Sequence, residues 1–340
     1  LGLLAIKFRT LDDQGNVSGG PMYYITHGFS GKWQIIAKPL AYFFAFAGVL
    51  VAWLGIGTFS QVNSITSSLQ NSFGWSPKIV SVILALITAA IIFGGIQSIS
   101  KVSEKVVPFM AGLYIIAALI VIFANFNQLL PVLEMVFQSA FTGKAAVGGF
   151  AGATVMAAMR LGIARGVFSN ESGLGSAPIA AAAAKTEEPV EQGLISMTGT
   201  FIDTIIICTL TGLAILVTGQ WSGSLEGAPM TQAAFSSIFG TFGELALTLS
   251  LVLFAFTTIL GWSYYGERCF EFIFKSTKFL SFYRLIFVVM VALGGYLTLE
   301  VVWKIADIVN GLMALPNLIA LLVLSPIILK ESKSYFERHK

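Results

Sequence analysis

Apolar residues in this chain run in long blocks separated by short polar gaps, without the every-other-residue alternation of a half-buried strand. Eight blocks stand out, at approximately 39–69, 77–98, 105–124, 146–184, 193–218, 242–268, 281–298 and 304–329. Their lengths match the roughly 20 residues that a helix needs to cross about 30 Å of hydrocarbon. Backbone groups find no water at that depth, so the blocks predict α-helices that close their own hydrogen bonds. The sequence lacks the short alternating segments of a membrane β-barrel. Pro316 falls inside the last block and leaves open two short helices in place of one. The expected fold class is an all-α polytopic membrane protein, with 1–340 forming one transmembrane domain.

Polar residues in the gaps are not evenly shared. With eight spans, one side holds Lys7, Arg9, Lys32, Lys38, Lys101, Lys105, Lys185, Arg268, Lys275, Lys278, Arg284, Lys330, Lys333, Arg338 and Lys340. The other side holds only Lys78, Lys144 and Lys304. Cytoplasmic loops are the basic ones, so this partition supports the eight spans and predicts a cytoplasmic C-terminus for a protein expected in the cell membrane. Gln128–Phe141 carries Leu129, Leu130, Val132, Leu133, Val136 and Phe137, which predicts either an amphipathic helix on the outer surface or an ordinary loop. The Gly-, Ser- and Ala-rich stretch 219–240 leaves the same choice between an outer lid and a loop.

Composition agrees with the pattern. The chain is 56% hydrophobic and 11% charged, with a mean hydropathy of +0.83. A soluble surface needs more charge than that. Cys208 and Cys269 lie in or beside apolar blocks and read as small buried hydrophobes. His27 and His339 are far from both, so no metal-ligand spacing exists. Leu1–Ile6, followed by Lys7 and Arg9, reads as the tail of a helix, which would make the chain start partway into a longer protein.

The fourth block is the most informative. Its 40 residues from Ala146 to Lys185 would make a straight helix of roughly 60 Å, twice the hydrocarbon thickness, so it must break, bend or protrude. Its middle reads Arg165-Gly-Val-Phe-Ser-Asn-Glu-Ser-Gly-Leu-Gly-Ser176-Ala-Pro178. Glycines, short polar side chains and a carboxylate suit a discontinuous helix lining a cavity. One half-helix would end near Phe168–Asn170, offering carbonyls to an ammonium group or Na+. The next would start near Ser172–Gly175, offering N–H groups to a carboxylate. A zwitterionic α-amino acid fits both ends, and Gly173 and Gly175 leave room for close approach. The alternative is a glycine kink that packs helices, although it leaves Asn170 and Glu171 unexplained. Glu171 is either a direct ligand or the partner of Arg165 in a structural ion pair near the cytoplasmic gate.

Other blocks supply further candidates. Thr257 and Thr258 are adjacent hydroxyls in mid-span, suited to Na+ or else bonded to their own helix carbonyls. Trp262, one turn on, either walls a small pocket or packs. Gln61 and Asn63 lie on a polar face running Gly55-Ile-Gly57-Thr58-Phe-Ser60-Gln61-Val-Asn63-Ser64, as pocket groups or as helix-packing amides. Asp203 and Asp307 are intramembrane carboxylates that serve either ion coupling or a structural network.

Four stretches together resemble the alanine/glycine:cation symporter family. They are Gly166–Thr186, Gly19-Gly-Pro-Met-Tyr-Tyr24, Ser196-Met-Thr-Gly-Thr-Phe-Ile-Asp203-Thr and Leu260-Gly-Trp-Ser-Tyr-Tyr-Gly-Glu-Arg-Cys269. The resemblance implies the leucine-transporter-type fold of two five-helix inverted repeats, here without its first N-terminal helices. The eight blocks then correspond to core helices three to ten, with 39–124 the remainder of the first repeat. The second repeat covers 146–298 and 304–329, and 330–340 is a cytoplasmic tail. By that likeness Gln61, Phe168, Ser169, Gly173 and Trp262 lie near substrate, and Thr257 and Thr258 contribute to a sodium site. Arg165, Glu171 and Asp203 are the candidates for gating or ion coupling. The implied activity is inward movement of alanine and glycine with Na+, or with H+, in contact with membrane lipid. No organic cofactor, nucleic acid or protein partner is expected. The family's chain continues N-terminally through another broken helix, so residues 1–340 alone are expected not to transport.

Three other readings compete. A channel would show a repeated filter loop or a charged ring. An enzyme would need a base–nucleophile pair, and the blocks contain no His and no Cys with a basic partner. A non-transporting sensor on the same scaffold would bind amino acid without flux.

Overall fold

The computed structural model describes residues 1–11, 15–94, 96–141 and 151–339. The start of the fourth block, 146–150, and the basic residues Lys144 and Lys340 lie outside them. Helices dominate: α1 (Gly2–Lys7), α2 (Pro21–Gly28), α3 (Gln34–Leu54), α4 (Phe59–Phe73), α5 (Pro77–Ile92), α6 (Ile96–Ala124) and α7 (Phe126–Phe141) come first. They are followed by α8 (Ala151–Asn170), α9 (Ala177–Ala181), α10 (Pro189–Thr200), α11 (Thr209–Val217), α12 (Ala228–Phe274), α13 (Leu280–Gly294) and α14 (Leu299–Arg338). A two-residue ladder pairs Thr10 with Ser18 and Leu11 with Val17 in antiparallel register.

Among the described residues, six helical stretches are long and apolar enough to cross a membrane, where eight spans are expected. The other two blocks are there but fall short. At 16 residues, Pro77–Ile92 spans roughly 24 Å, and the fourth block is interrupted. Large apolar side chains face outward on several helices, Ile35 at 82%, Phe242 at 78% and Leu322 at 78% exposure. Such a surface is stable against lipid and not against water. The chain is a multi-pass membrane protein.

One boundary departs from the sequence reading, and two that it left open take a definite form. The first block is two helices, because Gly55–Thr58 leaves helical geometry. Here the Thr58 hydroxyl donates 2.5 Å to the Trp53 carbonyl. A Cβ at Gly57 would stand 2.7 Å from the Ala52 carbonyl and 2.8 Å from Trp262 Cβ, so only glycine lets this turn approach α12. The last block is one helix through Pro316 and Pro326, as membrane helices with packed neighbours tolerate. In the stretch expected as an outer lid or a loop, residues 228–239 form a short helix that breaks at non-helical Gly240 (φ 59°, ψ −149°) before the sixth block begins. Gln128–Phe141 is helical within α7.

The core gathers on α3 and α12. α12 packs against α3, α4 and α6, α14 against α3, and α13 against α5. Trp262, Tyr24, Tyr283, Phe44 and Phe287 are its largest fully buried side chains.

Candidate functional site

The polar run after Arg165 folds as two helices with a gap. α8 ends on Asn170, and the Glu171 N–H still reaches the Val167 carbonyl at 2.9 Å. Glu171 then adopts φ 55°, and Gly173 and Gly175 follow at φ 84° and 96°. That left-handed backbone ends the helix, at no Cβ cost for the glycines and some cost for Glu171. Helix resumes only at Ala177, with Pro178 in the first turn, where its fixed φ fits and its missing N–H is not needed. The second half-helix therefore starts later than the expected Ser172–Gly175 and runs only five residues. Ala183 and Ala184 close it with tighter bonds to the Ala180 and Ala181 carbonyls, at 3.0 and 3.1 Å.

Side chains hold the gap open. Asn170 Oδ1 accepts from the Ser172 N–H at 2.9 Å, while its Nδ2 donates 3.0 Å to Thr204 Oγ1. Both oxygens of Glu171 are engaged. Ser176 Oγ donates to one, and Trp262 Nε1 donates to the other at 3.0 Å. From α14, Asn317 Nδ2 donates 2.8 Å to the Gly173 carbonyl. A Cβ at Gly175 would stand 2.7 Å from the Phe44 ring and 2.9 Å from Pro21. Among the described residues, no backbone carbonyl accepts from the N–H groups of Gly173, Gly175 or Ser176. A cavity of about 180 Å³ opens at the break, lined by Asn170, Glu171, Ser172, Pro178, Ser196 and Thr200 among others.

Opposite the end of α8, Phe201–Cys208 is wound as a π-helix, a geometry that recurs at functional sites. It presents Asp203 Oδ2 to Ser169 Oγ at 2.8 Å and to Thr204 Oγ1 at 3.0 Å. Ser169 Oγ also lies 3.1 Å from Cys208 Sγ. The fifth block thus contributes a carboxylate to the α8 terminus.

The remaining candidates sort by position. Phe168 packs against Trp303 of α14, ring centroids 4.7 Å apart and planes tilted by 48°. Arg165 does not pair with Glu171. Its Nη2 binds Asp307 Oδ2 at 2.7 Å, and its guanidinium lies 4.2 Å from the centre of the Trp303 ring. The reason is geometric: Glu171 is turned toward α12 by its left-handed backbone, while Arg165 on α8 faces α14. Gln61 Nε2 donates 3.1 Å to the Ile56 carbonyl at the α3–α4 break. Thr257 and Thr258 both donate to the Phe254 carbonyl, at 2.9 and 3.0 Å, the helix-bonded alternative, which leaves their lone pairs free to accept or coordinate. Thr204, Trp303 and Asn317 escaped the sequence reading. Each is a lone polar or aromatic residue in an apolar block, and the partner that gives it meaning is distant in sequence.

Comparison with known proteins adds a second line of evidence. A family model described as the sodium:alanine symporter family matches residues 2–340. An uncharacterized transporter of Haemophilus influenzae is 51% identical over 340 residues, 99% of this chain and 73% of that protein. The sodium/alanine symporter AgcS of Methanococcus maripaludis is 46% identical over 344 residues, covering 99% of this chain and 74% of that protein. The amino-acid carrier protein AlsT of Bacillus subtilis is 37% identical over 337 residues, covering 99% and 70%.

Proposed function

The chain belongs to the sodium:alanine symporter family, and on that premise we propose that it carries a small neutral amino acid, alanine or glycine, across the membrane with Na+. It is a membrane transporter and not an enzyme. The observation that carries the proposal is the interruption of the fourth block. Glu171, Gly173 and Gly175 leave helical geometry there, the N–H groups of Gly173, Gly175 and Ser176 have no backbone acceptor among the described residues, and Asn170, Glu171 and Ser172 line a cavity. Free N–H groups bind a carboxylate, and the carbonyls released at the end of α8 bind an ammonium group or Na+. Phe168, Ser169 and Gln61 complete the substrate surroundings, and Thr257 and Thr258 offer hydroxyl oxygens to the ion. Arg165, through Asp307, and Asp203, through Ser169, couple neighbouring helices to the break as gate and ion-coupling groups. The architecture proposed is the five-plus-five inverted repeat, with 39–124 in the first repeat and 146–298 with 304–329 in the second. Alternating access then rocks these helices about the broken segment.

The test is alanine uptake into liposomes by the reconstituted full-length transporter. Uptake should follow an imposed Na+ gradient and fall when Thr258→Ala removes a hydroxyl. Trp262 tests the pocket in two ways. Trp262→Phe keeps an aromatic ring but strands one oxygen of Glu171, costing about 1–3 kcal/mol, or roughly 5- to 150-fold in uptake efficiency. Trp262→Leu also vacates volume and should admit larger amino acids. Uptake indifferent to the Na+ gradient, with both sets of variants unchanged, would sink the reading. Glu171 favours one variation, coupling to H+, because it is the carboxylate at the break. Uptake driven by a pH gradient without Na+, and abolished by Glu171→Gln, would select it.

A further inference from the structure

The Gly19–Tyr24 motif has no part in the substrate site described so far, yet its last residue reaches the break. Tyr24 is fully buried, and its hydroxyl bonds Asn317 Oδ1. Asn317, also fully buried, donates from Nδ2 to the Gly173 carbonyl at 2.8 Å. A backbone carbonyl can only accept, so the Asn317 amide must turn its NH2 toward Gly173. Its oxygen then needs a donor of its own, and the Tyr24 hydroxyl is that donor. Reversing the amide would set oxygen against oxygen at Gly173. Each member of the relay thus fixes the next, from α2 through α14 to the left-handed turn of the broken helix.

The same elements bracket the turn sterically. A Cβ at Gly175 would meet Asn317 Cγ at 3.0 Å, and Pro21, the first residue of α2, at 2.9 Å. Gly173 lies between Glu171 and Gly175, so holding its carbonyl also settles where the neighbouring N–H groups aim. We propose that Asn317, oriented by Tyr24, is a positioning residue that fixes the backbone of residues 171–176 in the geometry that receives the substrate carboxylate. This rests on the transport reading above. Neither side chain needs to touch substrate.

Tyr24→Phe retains the ring and its packing and removes only the hydroxyl, and Asn317→Leu removes the hold on Gly173 at similar volume. Two measurements on the reconstituted transporter separate positioning from bulk stability. Hydrogen–deuterium exchange at the bonded amides of the turn, Glu171, Ser172 and Leu174, should quicken by about fivefold in Tyr24→Phe and more in Asn317→Leu, as expected for the loss of one buried hydrogen bond or more. The core of α12 should keep its protection. Alanine uptake by the folded fraction should show a KM raised by a similar factor with kcat little changed. Unaltered exchange at those amides overturns the proposal. Faster exchange with an unchanged KM also overturns it, because the relay would then hold the turn without serving the site. A residue that merely stabilises the fold would lower the melting temperature and leave KM unmoved. If the unmodified full-length transporter takes up no alanine, the transport reading fails, and the positioning assignment fails with it even where the exchange pattern stands.

Discussion

Gly175 has two independent reasons to be glycine. Its φ of 96° is one that L-residues rarely adopt, and an added Cβ would press on Phe44, Pro21 and Asn317 at 2.7, 2.9 and 3.0 Å. Gly74 has only the first reason: its φ is 69°, and an added Cβ meets nothing within 4 Å. Gly74→Ala should therefore cost about 1–2 kcal/mol of backbone strain. Gly175→Ala adds the displacement of packed rings and should cost about 1–3 kcal/mol more. Melting curves of the two purified variants decide it, and equal losses would show that the break can relax around a methyl group. At this scale the sequence was informative about which residues gather and silent about how. Glycines and short polar side chains mark the break because few other residues tolerate exposed backbone in mid-membrane. The partners of Glu171 were not legible. Arg165 looked closest in sequence, but a φ of 55° at Glu171 directs its carboxylate to Trp262, 91 residues away. No periodicity encodes a contact at that separation.

Among the elements, α12 carries the heaviest structural duty, and its cytoplasmic end by the charge rule shows how. Glu267 takes two bonds from Arg284 of α13, both 2.8 Å, and Arg268 binds Glu271 at 2.8 Å, with all four side chains less than a fifth exposed. Gly266 lets the helices close: an added Cβ would fall 2.1 Å from the Tyr283 hydroxyl. The Leu260–Cys269 motif is thus largely a helix-packing device around one site residue, Trp262. Arg284→Met keeps the length of the side chain and leaves Glu267 with a single 3.4 Å contact to Arg268. Removing one partner of a buried pair costs about 3–5 kcal/mol, so this variant should lose more stability than Lys304→Met, whose pair with Glu300 is mostly exposed and contributes about 0–1 kcal/mol. Thermal unfolding compares them, and similar melting temperatures would refute the clamp. Element boundaries were legible where a polar run crossed an apolar block, as at 165–178. The turn at Gly55–Thr58 was hidden, because its glycines and hydroxyls also fit one polar face of a continuous helix.

On the scale of the whole molecule, contacts test the division of the gaps into two sides, independently of charge. The gaps assigned to the basic side meet one another: Lys7 binds Glu331 at 2.7 Å, Arg338 binds Glu188 at 3.1 Å, and Arg9 donates to the carbonyls of Ala184 and Thr186. The gaps assigned to the other side also meet. Lys78 lies over the Tyr296 ring, and both line a cavity of about 300 Å³ with Glu226 and Trp303. An odd number of miscounted spans would have mixed these groups. Trp303 links that second cavity to Phe168 and Arg165, so the Arg165–Asp307 pair stands between the broken helix and the less basic side. Its side chains are 37% and 46% exposed, a weak bond that can open and close without large cost. Which side faces the cytoplasm rests on the basic residues alone. Single cysteines in place of Lys333 and Lys304, in a background where Cys208 and Cys269 are replaced, distinguish the orientations in intact cells. An impermeant thiol reagent should modify position 304 and spare 333. The reverse pattern would place the Arg165–Asp307 pair on the cytoplasmic side of the broken helix.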